Sequence, residues 1–370
     1  MKKALIAAGF VCLLTSAGAA TTASAAQGFS SLAAGARTVE IGAGADVRLD
    51  QCGVALDSLM IRGTLSVDND LAGACDEVTL SANQIMVMGP DARFSVGSED
   101  APFTGNLTIT LTGDGSPAPQ FNNVHKRMIM VMRGGEVDFH GAARDKVSWT
   151  QLDAHARKGA TALQLADPVN WRAGDEFVIA PSGMEATEAE TRTINAVSGD
   201  GRTLYFTDPL RHDHFGEAID YGPRRLDMRA EVGLLSRNIV IQGDEGSSDD
   251  QVGGHIMIMN ESLDRVSKSI RRREKGDYLR RGIDPSAMRP PYAKASEARF
   301  EGVAFRRMGQ LRRQGRYVIH FHLVDAGANS YVRNNSFRDS FHRVLNIHGT
   351  NDLRVSDNVA YNTLGHVFAF

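Results

Sequence analysis

The sequence predicts an all-β chain that ends in a right-handed parallel β-helix, and three observations lead there. Tyr331-Val332-Arg333-Asn334-Asn335-Ser336-Phe337 recurs as Arg354-Val355-Ser356-Asp357-Asn358-Val359-Ala360, a spacing of 23 residues. A second register, at a spacing of 26, sets Val318-Ile319-His320-Phe321-His322 against Val344-Leu345-Asn346-Ile347-His348. From residue 39 to 153, short alternating strands broken by glycine and Asx turns follow one another with no amphipathic helix of useful length. Periods in the twenties belong to solenoids, where a coil buries its apolar face only by stacking parallel strands on its neighbour.

Taken from the N-terminus, Lys2-Lys3, the apolar run from Ala4 to Leu14 and the small residues Ala23-Ser24-Ala25 form a bacterial secretory signal over residues 1–25. No other stretch approaches the ~18 apolar residues of a membrane span. The mature chain is therefore expected to be secreted or periplasmic. Loss of Lys2 and Lys3 moves the formal charge from −3 to −5 (−3 less 2), a balance unsuited to coating nucleic acid. Hydrophobic residues at 42%, with 37 glycines and 11 prolines, exclude wholesale disorder and suit a turn-rich fold. Cys52 and Cys75 remain, also 23 residues apart. In an oxidising compartment that one-coil spacing predicts a disulfide between adjacent coils, with two separate buried thiols as the alternative.

The strands divide into a β-rich domain over 39–153, a β-rich continuation over 154–259, an aperiodic basic insertion over 260–294 and parallel coils over 295–370. Leu56 to Val67, Gln84 to Gly89, Arg93 to Gly97 and Leu107 to Gly113 are the first domain's strands. In the coils, Asn335 and Asn358 fall above one another at a turn, where their amides can bond from coil to coil. The chain stops at Phe370 in mid-strand, so the sequence reads as part of a longer protein.

Val96 to Phe103 with Thr108 to Gly113, Ser148 to Leu152, Val169 to Ala180, Arg229 to Gly243 and Gly315 to His322 together resemble the G-eight (G8) domain family. This group includes the cell-surface hyaluronidase, the cell migration-inducing hyaluronan-binding protein and, more distantly, fibrocystin. The resemblance runs from about residue 40 to the last residue. It implies an extracellular β-helix protein that engages an acidic polysaccharide such as hyaluronan, with calcium as the cofactor of depolymerisation. A non-catalytic carbohydrate-binding or adhesive β-helix is the alternative. In that light Arg271-Arg272-Arg273, Lys275, Arg280-Arg281 and Arg289 of the insertion are either a solvated loop or a basic rim that gathers a polyanion.

Candidate site residues follow from strand alternation. If Ile319, Phe321, Leu345 and Ile347 face inward, then His320, His322, Asn346 and His348 face outward, and neighbouring strands about 4.8 Å apart bring His322 against His348. Two histidines at i, i+2 on one strand can share one metal, but calcium prefers oxygen ligands, so the metal stays unknown. Hydrolysis of a uronic-acid polymer needs paired carboxylates, for which Asp325 and Asp339 are nearest. β-Elimination needs a base, from His320, His322 or His348, and a cation on the uronate, from Arg316 or Arg343. His320, His322, His348 and Asp325 are thus the catalytic candidates; Arg316, Arg343, Asn346, His342 and His366 are the substrate-binding candidates. Arg343 belongs only if a bend precedes its strand, since strict alternation from Leu345 turns it inward. Trp149 and Trp171 are read as packing or a sugar platform, Asp175-Glu176 as a turn or a calcium site, and His212 and His214 as loop residues near a groove.

Overall fold

The computed structural model describes residues 21–23, 27–114, 126–260 and 294–370. The expected leader and the arginine-rich insertion lie outside the described residues, apart from the backbone of 21–23 and the insertion's flanking Asn260 and Lys294.

Successive coils stack in register as parallel strands on three faces. One face holds β1 (Val78–Met88), β2 (Met128–Met132), β3 (His255–Met259), β4 (Ile319–Ala326) and β5 (Leu345–Asn351), each paired in parallel with the next. A second face runs Thr64–Val67, Arg93–Val96, Glu136–His140, Glu297–Glu301, Tyr331–Arg333, Arg354–Ser356. The first half of β1 turns onto the third face, followed by Leu107–Leu111, Ile239–Gly243, Val303–Arg306, Ser336–Ser340 and Val359–Thr363. The 23- and 26-residue spacings are the lengths of the last coils: Val332 pairs with Val355, and His322 with His348.

The G-eight segment expected over 39–153 leads directly into the coils. Its strands are the first coils of the same helix, because Ile85, Ile129, Ile256, Ile319 and Leu345 continue one inward ladder through a single apolar core. Phe94, Phe139, Phe300, Phe305 and Phe337 form a chain of ring contacts in that core, with successive centroids 5.0, 5.7, 5.5 and 4.8 Å apart. Burying such rings is the main source of stability. Cys52 and Cys75 form a disulfide with a Cα separation of 5.5 Å.

The stretch expected as a β-rich continuation over 154–259 is interrupted by an antiparallel module inserted between Glu136–His140 and Ile239–Gly243. Trp149–Gln151, Glu231–Leu234, Glu176–Ile179 and Glu190–Thr193 form one sheet, and Ala162–Gln164, Thr203–Tyr205 and Ala196–Val197 a second. Leu163, Trp171, Phe177, Leu204 and Phe206 give it its own core. It is tied to the coils by the buried Arg237, whose guanidinium donates to the carbonyls of Leu234 (3.1 Å) and Asn334 (2.9 Å). The Arg338–Glu176 ion pair adds a second link.

The asparagine turn is a bonded ladder. Asn335 donates from Nδ2 to Asn358 Oδ1 (3.0 Å) and to the Phe300 carbonyl (2.9 Å), and its Oδ1 accepts from Val303 N (2.9 Å). Asn334 and Asp357 precede these residues with φ of 55°, the left-handed conformation that Asx residues tolerate best. Because Asn335 is fully buried, Asn335→Ala strands a backbone donor and acceptor. We expect a loss of about 1–3 kcal/mol in urea unfolding; an unchanged midpoint would show that the amide bonds add nothing.

Candidate functional site

The outward face across β1 to β5 carries two ladders, one residue from each strand. Met86, Met130, Met257, His320 and Asn346 form one; Met88, Met132, Met259, His322 and His348 form the other. The first three strands therefore present Met-x-Met, the fourth His-x-His and the last Asn-x-His. Period-2 alternation puts both residues of each pair on one face, and parallel pairing stacks them. The methionines are buried. Beyond them the ladders open into a cavity of about 630 Å³ lined by all of these methionines but Met86, and by Arg133, Arg316, Tyr317, Arg343 and the three histidines.

The histidines meet as the register requires. Nδ1 of His322 lies 3.1 Å from Nδ1 of His348, and the two ring centroids are 5.0 Å apart. The His320 ring centroid is 5.0 Å from that of His322 and 6.4 Å from that of His348. Solvent access falls in the opposite order to depth: His348 is exposed, His322 half-buried and His320 buried. Burial, and then the neighbouring His322, pushes His320 down to about 3, so it is neutral at ordinary pH. Its Nδ1 donates to the Gly315 carbonyl (3.2 Å). Gly315 adopts φ of 82°, a conformation that L side chains rarely take.

Tyr317 organises the cationic wall. Its ring packs edge-on against His320 and His342, with centroids 4.9 and 4.8 Å away, and carries the Arg343 guanidinium 5.3 Å above it. Arg343 also donates to Asn346 Oδ1 (2.9 Å). The bend that Arg343 needs exists, because β5 begins two residues later and Arg343 N donates to His342 Nδ1 (2.9 Å).

Other candidates have different places. Arg316 and Asn346 line the cavity, but His342 lies behind Tyr317, and His366 is exposed on the last coil and does not line it. Burial, and then Arg343, lowers the His342 pKa. Asp325 lies in β4 after a register shift, and its side chain is outside the described residues. Asp339 pairs with Arg338 on the third face. Trp171 is buried, while Trp149 is 43% exposed in a separate groove with Tyr361. Asp175 pairs with Lys146 (2.6 Å) and Glu176 with Arg338, which gives both a structural duty. His214 is buried against the Ala180 carbonyl and Glu190, and the His212 amide donates to the same carboxylate (2.9 Å). Burial would raise Glu190, but bonds from the Arg211 and His212 amides and from Arg192 and His214 outweigh it and hold the group at about 2.

The methionine ladders, Tyr317 and Arg133 were not among the sequence candidates. Their signal was present as Met-Val-Met, Met-Val-Met and Met-Ile-Met at 86–88, 130–132 and 257–259.

Comparison with known proteins agrees with this architecture. Residues 27–153 match the G8 domain family and residues 291–370 match the CEMIP beta-helix family. A G8 domain-containing protein of Dictyostelium discoideum is 27% identical over 332 residues, covering 89% of this chain and 25% of the relative. Mouse fibrocystin-L is 31% identical over 333 residues, covering 87% of this chain and 8% of the relative. The chain thus spans a quarter or less of the length of these two relatives. Among solved structures, a tailspike of the Acinetobacter baumannii bacteriophage AP22 is similar over 82% of this chain and 45% of its own, at 10% identity and a TM-score of 0.20. No helix among the described residues is long and apolar enough to cross a membrane.

A buried imidazole that stays neutral makes the native state acid-sensitive. His320 lies among His322, His348, Arg316 and Tyr317, and its folded value is below the unfolded value of about 6.5. The stability it permits is complete above about 6.5 and is lost as pH falls from there towards about 3. Nitrogen-15 spectra of the imidazoles should keep His320 neutral, with its proton on Nδ1, at pH 5; an imidazolium at that pH would contradict the burial argument.

Proposed function

We propose that this chain, which carries a G8 domain and a CEMIP beta-helix segment, is an exported carbohydrate-active β-helix protein that engages an acidic polysaccharide along the outward face of β4 and β5. The observation that carries this reading is the convergence of His320, His322 and His348 with Arg133, Arg316 and Arg343 around one open cavity. Guanidinium groups meet carboxylates with two parallel hydrogen bonds, and an elongated solenoid face suits a chain of sugars. Tyr317 and the buried methionines form the packed wall behind these groups.

Of the two reactions, we propose β-elimination as the one to test first, with hydrolysis as the alternative. Hydrolysis uses two carboxyl groups across the bond. Elimination instead needs positive charge on the uronate carboxylate and a group that accepts the proton from the adjacent carbon. The C–O bond to the leaving sugar then breaks, that oxygen gains a proton, and a double bond forms in the uronate ring. The arginines and the histidine cluster are the groups here that supply the charge and the proton transfer. Hyaluronan is the substrate to try first, because the G-eight resemblance implies it.

The test is incubation of the full-length protein with hyaluronan, chondroitin and bacterial uronans, read by unsaturated-uronate absorbance and product size. Elimination products are expected, with His322→Ala slower by roughly 10²-fold and still folded, since the position is half-buried on the outer face. Shortened chains without the absorbance would mean hydrolysis; retention without shortening would mean binding alone. A His322→Ala, His348→Ala protein that works at the native rate would remove this face from the function.

A further inference from the structure

Calcium, the cofactor implied by the G-eight resemblance, does not fit these residues. It takes six to eight oxygen ligands. The described residues offer one group of three or more metal-ligating side chains, and all three are imidazoles: His320, His322 and His348, with ligand nitrogens within 4.8 Å of one another. The neighbouring amide oxygen, Asn346 Oδ1, already accepts from Arg343.

We propose that His320, His322 and His348 bind one divalent first-row transition metal ion of the zinc type. The first support is the tautomer of His320. Its Nδ1 faces the Gly315 carbonyl, which can only accept, so the ring proton sits on Nδ1 and Nε2 carries a bare lone pair. That Nε2 is buried and has no hydrogen-bond partner, although the residue is only 5% exposed. Metal-binding histidines are set up in this way, with one nitrogen held by a carbonyl and the other left to ligate.

A second support is spacing. Tetrahedral bonds of about 2.0–2.1 Å put two ligand nitrogens about 3.3 Å apart, and the Nδ1 atoms of His322 and His348 are already at 3.1 Å. The widest separation, 4.8 Å, must close by about 1.5 Å (4.8 less 3.3). The half-buried His322 and exposed His348 can turn to do this while His320 stays fixed. The fourth position then opens into the cavity, as in a three-histidine centre that keeps one site for an exogenous ligand. Imidazole nitrogens favour zinc, nickel or copper over calcium, and Met259, the register partner of His322, adds a soft thioether neighbour.

When bound, such an ion supplies a fixed positive charge that can meet a carboxylate or acidify a water. The inference deepens the reading of this groove as the functional site, but metal uptake is measured with no polysaccharide present. The full chain, stripped with a chelator, is dialysed against Zn²⁺ with and without excess Ca²⁺, and metal per chain is read by atomic emission and titration calorimetry. We expect one Zn²⁺ that Ca²⁺ does not displace. His322→Gln, His348→Gln should weaken it at least about tenfold, with the fold checked by circular dichroism, and His366→Gln should leave it unchanged. No uptake by the wild type, equal uptake by the double variant, or displacement by Ca²⁺ would overturn the proposal. Polysaccharide binding by a chain that takes up no Zn²⁺ would also overturn it while leaving the groove reading intact. Zinc uptake without any polysaccharide binding would uphold the metal site and sink that reading.

Discussion

Register between successive coils is the constraint from which the rest follows. Parallel strands about 4.8 Å apart, held by backbone bonds, repeat any outward or inward position as a ladder along the axis. On the inside this repetition builds the core through Ile85, Ile129, Ile256, Ile319 and Leu345. On the outside it builds the site. A slip of one residue between β4 and β5 would turn His348 inward and break the contact with His322, so the hydrogen-bonded asparagines, which pin the last coils together, also hold that contact.

The histidines on adjoining faces show how strongly the surroundings decide charge. His140, on the second face, is also buried, and burial alone would lower its pKa. Bonds to Asp138 (2.7 Å) and Glu301 (3.3 Å) reverse that and hold it raised. Those carboxylates belong to a network with Arg93, Arg299 and Arg333, so the second face is electrostatically satisfied within itself. In the groove, His320 bonds the Gly315 carbonyl instead, and arginines line the same cavity.

The sequence made part of this legible. The His-x-His register, the one-coil cysteine spacing and the stacked asparagines could be read because each is a repeat in a parallel ladder, and a repeat survives translation from chain to structure. The antiparallel module could not be read so easily. Short alternating segments such as Phe177 to Ile179 have the same period whichever way their partner runs, and Glu231–Leu234 pairs with strands far apart in sequence. The G-eight segment was legible from its motifs, and the core runs on through it into the later coils. Met-Val-Met resembles a strand buried on both sides, and only the register shows that its outer pair leads to the histidines. Tyr317 was hidden because its role depends on a loop that folds back over His320 and His342.

Hydrogen exchange of the full-length protein, with and without a series of acidic oligosaccharides, tests the central claim most directly, because it reports where a ligand sits whether or not chemistry follows. Slowed exchange is expected, concentrated in β4, β5 and the 314–317 loop. Slowing confined to the groove of Trp149 and Tyr361, or absent with every uronic-acid ligand, would contradict it.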